Sequence, residues 1–147
     1  MISKSAEYAV KAMTVLRSAR GPLVVRDIAL AADVPHSYLS KVLHTLGRAG
    51  LVAAERGPKG GFSLGRSARA ITVYDIVSQF DQLSRTPFCF LRRPNCQHGD
   101  ACKPCARWLE VWHTNDRFLR ETTLESIAAN CILAAARPRR TRRIKPS

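Results

Sequence analysis

The chain has 147 residues, 24 Lys and Arg against 11 Asp and Glu, and a formal net charge of +13 at neutral pH. Hydrophobic residues make up 46% of it, too many for general disorder and enough, at this length, for one domain to bury a core without disulfide or metal staples. It has no apolar run long enough for a membrane span, and its first residues carry an acid, Glu7, and no apolar stretch; neither a membrane partner nor a secretory signal is expected, and the cytoplasm is the expected location.

Residues 4–19 read as a helix, with Ala6, Ala9, Val10, Met13, Val15 and Leu16 at three- and four-residue spacings and Gly21-Pro22 as the stop. A second helix is expected over 25–32, a short turn at Asp33-Val34-Pro35, and a third helix over 37–48. The apolar face of the third is Leu39, Val42, Leu43 and Leu46, and Gly50 follows as a C-terminal stop. Two helices joined by so short a turn make a helix-turn-helix. Two short strands around residues 57–61, rich in glycine, then form a hairpin, which in this position is a wing. Thr72 and Asp75 open a fourth helix as a capping-box-like pair, running to about Phe80. Residues 84–104 read as irregular, 106–122 as a long helix and 124–136 as a shorter one.

The helix-turn-helix suggests DNA, because a helix fits the major groove and its first turns meet base edges. His36, Ser37, Tyr38, Ser40, Lys41 and His44 lie opposite the apolar stripe of the third helix. Ser37, Tyr38 and Lys41 are the strongest candidates for groove contacts. At the wing, Arg56 and Lys59 are placed to reach phosphates or a narrow minor groove, and Gly60 lets the backbone come close. The charge agrees: residues 137–147 hold Arg137, Arg139, Arg140, Arg142, Arg143 and Lys145 and no acid, yet without this tail the balance is still 18 against 11. The tail is expected to be disordered.

Cys89, Cys96, Cys102 and Cys105 fall within seventeen residues, with a fifth, Cys131, on an Ala/Ile/Leu-rich stretch that suits a buried thiol. An odd count and no signal peptide argue against a disulfide framework. Only Cys102 and Cys105 form a close pair, whereas zinc ribbons use two. Four thiols on a loop beside Arg92, Arg93, Lys103 and Arg107 suit an iron–sulfur cluster. A thiol switch or a zinc site without a cluster is the alternative. His98 in the loop and His113 on the long helix follow no ligand spacing. The stripe Trp108, Val111, Trp112, Phe118 and Leu119, broken by Asn115, is core or the interface of a two-fold dimer. No Ser/His/Asp arrangement, phosphate loop or paired-carboxylate site suggests an enzyme, and none is expected. A nucleic-acid or protein adaptor that works through its basic tail is a further reading.

Several segments together resemble the Rrf2 family of iron–sulfur transcription regulators, the IscR, NsrR and RirA type. They are Tyr8-Ala9-Val10-x-Ala12-Met13, Ser37-Tyr38-Leu39, Gly50-Leu51-Val52, the wing Arg56-Gly57-Pro58-x-Gly60-Gly61-Phe62, Trp108 and Thr122-Thr123-Leu124. The resemblance spans about residues 1–130. It implies a mainly α fold with a small β-hairpin wing: a winged helix-turn-helix over 1–82, a cluster loop over 83–105, a dimerisation helix and short C-terminal helix over 106–136, and the tail 137–147. It implies a homodimer on a palindromic operator in double-stranded DNA, most simply a repressor. It implies three cluster ligands, carried here by Cys89, Cys96 and Cys102, on a 2Fe–2S or 4Fe–4S centre. The fourth position is a histidine in IscR-like members and is Cys105 here; in NsrR-like members it is a first-helix acid from the partner subunit, and Glu7 falls there. Cys105 is favoured as the softer, adjacent ligand.

Overall fold

The structure, a computed structural model, describes residues 2–83 and 103–127. The order of elements is α1 (Lys4–Ser18), α2 (Val25–Ala32), α3 (His36–Arg48), β1 (Val52–Glu55), β2 (Gly61–Leu64), a 3-10 turn (Ala68–Ala70), α4 (Val73–Val77) and α5 (Lys103–Glu121). The mainly helical fold with one two-stranded antiparallel sheet is the one expected.

Helix α1 starts at Ser3, whose hydroxyl accepts from the Ala6 N–H, and buries Ala6, Ala9, Ala12, Met13 and Leu16. That is a stripe at helical spacing, with Ala12 on it and Val15 only part-buried at its edge. The stripe meets α2, α3, α4 and β2. Helix α2 ends on Asp33, in the left-handed region at φ 53°. Helix-turn-helix turns favour glycine there, and aspartate is one of the few other residues that tolerate it. Val34 in the turn is buried. Helix α3 buries Leu39, Val42, Leu43 and Leu46 in the same core and closes with a Schellman motif. The Leu51 N–H donates to the Leu46 carbonyl, the Gly50 N–H to the Gly47 carbonyl, and Gly50 takes φ 71°.

The wing pairs Val52 with Leu64 through Glu55 with Gly61. Leu23, between α1 and α2, adds a third edge: its N–H donates to the Phe62 carbonyl at 2.9 Å and the Phe62 N–H returns to the Leu23 carbonyl at 2.7 Å. A side chain at Gly61 would put its Cβ 2.6 Å from the Leu23 carbonyl oxygen, so the root of the wing needs glycine.

Helix α4 opens with the expected capping box, Asp75 N–H to Thr72 Oγ1 at 3.1 Å and Thr72 N–H to Asp75 Oδ2 at 2.9 Å. It is shorter than expected. After Val77 the Gln79 and Phe80 N–H groups turn to the carbonyls of Ile76 and Val77, three residues back, and the helix tightens to a stop. Helix α5 begins at Lys103, three residues earlier than the sequence suggests. The expected boundary between a loop ending at residue 105 and a helix starting at 106 is therefore corrected: Cys105 stands in the first helical turn. Pro104 there is no obstacle, since a first-turn N–H needs no intrahelical partner.

The far end of α5 is clamped. The Val73 N–H donates to the Thr122 carbonyl at 2.9 Å and the Leu124 N–H to the Ile71 carbonyl at 2.8 Å. Arg17 reaches across from α1 to both oxygens of Glu125, at 3.2 and 2.9 Å, and Arg120 lies 3.8 Å over the Tyr74 ring. The chain is helical again over residues 124–127; the rest of the expected 124–136 helix, the tail, and Cys131 lie outside the described residues.

Two outcomes follow from these contacts. Thr72→Ala removes one half of the capping box and is expected to lower unfolding stability by about 1 kcal/mol in urea titration. The Glu125 carboxyl is held below the usual carboxylate range by its hydrogen bonds from Arg17. Its contribution is therefore complete above the ordinary carboxylate pKa and lost as pH falls through the lowered value. Thermal melts should show Glu125→Gln less stable than wild type at neutral pH, with the gap closing in acid.

Candidate nucleic-acid interface

All six polar residues singled out on α3, His36, Ser37, Tyr38, Ser40, Lys41 and His44, are exposed. They stand opposite the four buried residues of that helix, because a 3.6-residue period separates the two sets. The helix carries no acid, so its exposed face repels no phosphate, and its first turn is the positive end of the backbone dipole. Ser40 Oγ donates back to the His36 carbonyl at 3.4 Å, which leaves its lone pairs outward.

Tyr38 differs from its neighbours. Its ring meets the Tyr8 ring edge-on at 5.5 Å between centroids, and its hydroxyl lies 3.3 Å from Ser5 Oγ. It is 45% exposed, so it shows one side outward while its other side is fastened to α1. Tyr8 and Ser5 were not among the candidates. No local pattern pairs residues 5 and 8 with residue 38; only the packing of α1 on α3 does.

At the wing, Arg56 and Lys59 are exposed, and Gly60 is part-buried. The Gly60 N–H donates to the Gly57 carbonyl at 3.0 Å, closing the tip, and a Cβ on Gly60 would collide with the Glu55 carbonyl oxygen. Glycine at 60 thus fixes the loop that carries the two cations. The exposed face of α3 and the wing cations together offer donors of the kind that base edges and phosphates accept.

Of the proposed metal ligands, Cys89, Cys96 and Cys102 lie outside the described residues. Cys105 is 2% exposed. A buried sulfur is a soft donor of the kind iron takes. Glu7 is engaged otherwise: Lys4 Nζ stands 2.8 Å from one carboxylate oxygen and Lys11 Nζ 2.9 Å from the other. These hydrogen bonds, Lys4's first, hold its pKa low. Ala6, its neighbour, shares a buried cluster with Leu119 near the far end of α5. At 1.5 Å per residue, Leu119 lies about 21 Å along the axis from Cys105. Within one protomer the two candidates for the fourth ligand therefore sit at opposite ends of α5. Among the described residues no three His, Cys, Asp or Glu side chains gather closely enough to hold a metal. None of the described helices is long and apolar enough to cross a membrane.

The Rrf2 family, described as an iron-dependent transcriptional regulator, matches residues 2–130. The HTH-type transcriptional regulator IscR of Pectobacterium carotovorum subsp. carotovorum is 34% identical over 131 residues, which cover 88% of this chain and 79% of that protein. The protein of the same name from Escherichia coli O1:K1 is 33% identical over 131 residues, with 88% and 80% covered. Among solved structures, CymR of B. subtilis, described as the global cysteine regulator, matches with a TM-score of 0.71 at 28% identity, over 88% of this chain and 96% of that one. IscR of T. potens matches with a TM-score of 0.71 at 25% identity, over 94% and 93%. The fold, its wing and these relatives agree, and the chain belongs to the Rrf2 family of winged-helix transcriptional regulators.

Proposed function

We propose that the chain is a cytoplasmic homodimeric repressor that reads a palindromic operator with α3 and the wing, and that an iron–sulfur cluster at the start of α5 sets its affinity. The observation that carries the DNA part is the acid-free, exposed face of α3, with Ser37 and Lys41 outward, beside a wing tip bearing Arg56 and Lys59. Ser37 and Lys41 enter the major groove; Arg56 and Lys59 take the flanking phosphates or minor groove.

The dimer reading rests on α5. Val111 is 58% and Phe118 57% exposed, two turns apart on one face, with Asn115 exposed between them. Two large apolar side chains at heptad spacing want a cover, and a polar residue in such a seam fixes its register. A second copy supplies the cover and places two recognition helices on the two halves of a palindrome.

The cluster reading rests on donor chemistry. Cys105 presents a buried sulfur, and Cys102 precedes it by three residues. Cys89, Cys96, Cys102 and Cys105 would hold the iron, with Glu7 left to its lysines. When bound, such a centre supplies iron that responds to redox state, iron supply or nitric oxide. The chain's own part is mechanical. Helix α5 is about 28 Å of continuous helix, held at its far end by the bonds of Val73 and Leu124. That end packs with Ala6, and α1 touches α3 through Tyr8 and Tyr38. Fixing or freeing Cys105 thus bears on the pose of α3, and by linkage DNA binding bears equally on the cysteine end.

A second reading is favoured by the likeness to CymR, described as a global cysteine regulator and also known as an oxidized form from Staphylococcus aureus. In it Cys102 and Cys105 act as a thiol switch, and no visible absorbance arises.

Lys41→Ala and Arg56→Ala should both weaken operator binding in fluorescence anisotropy. Arg56→Ala should lose affinity for all duplexes alike and lower the salt slope by about one, while Lys41→Ala should also relax sequence preference. After anaerobic reconstitution, Cys105→Ser should retain less iron and sulfide than wild type, and Glu7→Gln as much. Equal retention by Cys105→Ser would remove Cys105 from the ligand set.

A further inference from the structure

On the outer face of α1, beside the start of α3, one carboxylate occupies two lysines. Lys4 and Lys11 each place an ammonium group on a separate oxygen of Glu7, at 2.8 and 2.9 Å. The same two ammonium groups stand 5.8 and 6.0 Å from the centroid of the Tyr8 ring. Tyr8 in turn meets Tyr38 edge-on at 5.5 Å, and Tyr38 lies in the first turn of the acid-free helix α3. The lysines are therefore joined to the recognition helix through two aromatic rings, and α1 and α3 present one continuous surface there. Its chemistry is two cations with the Glu7 carboxylate between them, and the Ser5 and Tyr38 hydroxyls 3.3 Å apart.

We propose that this face of α1 is a second, phosphate-binding part of the DNA interface, and that Glu7 is its electrostatic brake. The proposal rests on the DNA-binding reading of α3 and the wing. The Lys4 and Lys11 side chains are 69% and 41% exposed and that of Glu7 36%, so both pairs are wet and weak. A DNA phosphate, backed by the field of its neighbours, can replace the carboxylate as the partner of either lysine. The Glu7 charge then remains within about 8 Å, one screening length at physiological salt, and opposes the phosphate it faces. Tyr8 keeps both ammonium groups near the interface whether or not Glu7 is charged, since its ring attracts cations. Without the negative charge, the lysines would already be poised for phosphate. Glu7 thus trades affinity for all DNA against selectivity, because the phosphate contacts it restrains carry no sequence information.

The test uses the full chain and a mixed-sequence duplex of fixed length, because the contacts concerned are independent of sequence. Binding is followed by anisotropy over a salt series for wild type, Glu7→Gln, the double variant Lys4→Ala/Lys11→Ala, and the triple variant. Thermal melts and iron content are taken on the same samples. Glu7→Gln keeps the shape and one acceptor oxygen, and removes the charge and the second acceptor, so at most one lysine keeps a partner there; it should bind about three- to tenfold tighter at low salt, with a slope steeper by about one to two. The double variant should bind more weakly with a shallower slope, and adding Glu7→Gln to it should change little. Wild-type affinity and slope in Glu7→Gln would overturn the brake, as would a gain that persists without the lysines, or a gain that appears only together with lost iron. If Lys41→Ala and Arg56→Ala weaken binding while Glu7→Gln does nothing, the brake alone falls. If wild type binds no duplex, the DNA reading and the brake fall together.

Discussion

Ala6, Ala9 and Ala12 have no exposed surface, and their small side chains let other elements close on one helix. α2 and α3 pack on α1, β2 reaches it, and α4 joins it to the end of α5. With larger residues the helices would stand further apart, and cores do not absorb such volume without strain. The alanine face therefore fixes two things at once: the angle at which α3 leaves the core and the seat of the last turn of α5. On the proposed function, passing a change from the cysteine end of α5 to α3 requires both to be referred to one rigid element.

The surface divides along the same line. One side of α1 faces the core; the other holds Lys4, Glu7 and Lys11 beside Tyr8. The start of α3, a helix without acids, adjoins that side through Tyr8 and Tyr38. Helix α5 carries the exposed apolar pair Val111 and Phe118, with Cys105 near the start of the helix and sunk from solvent. The lysines of α1 and the exposed apolar pair of α5 thus lie on different elements.

Much of this was legible in the sequence, and the reasons are local. Apolar residues at helical spacing located α2 to the residue and α3 to within one, because the stripe and its end signals fall inside the helix itself. Thr72 and Asp75 announced their capping box by their spacing alone. The wing followed from glycines between two short strands. What stayed hidden depends on distant partners or on tolerance. The Leu23 bridge to Phe62 is one residue long and has no periodicity. Pro104 looked like the end of a loop, although the first turn of a helix accepts proline. The hold of Tyr8 and Ser5 on Tyr38, and of Lys4 and Lys11 on Glu7, could not be weighed before α1 and α3 were seen side by side. The sequence alone put Glu7 and Cys105 in competition for one role; within one protomer the placement of Ala6 beside the far end of α5 keeps them apart, so Glu7 could share a site with Cys105 only across two subunits.

The central claim is that the state of the cysteine end of α5 sets the affinity of α3 and the wing for DNA. The direct measurement is operator affinity of one anaerobic, iron-loaded sample, before and after the iron is removed by chelation, at fixed salt and with the dimer verified in both states. The account predicts a change in affinity of at least about tenfold, on the order of the coupling free energies that allosteric proteins show. Equal affinity in the two states would contradict it, and would leave a winged-helix regulator whose switch lies elsewhere.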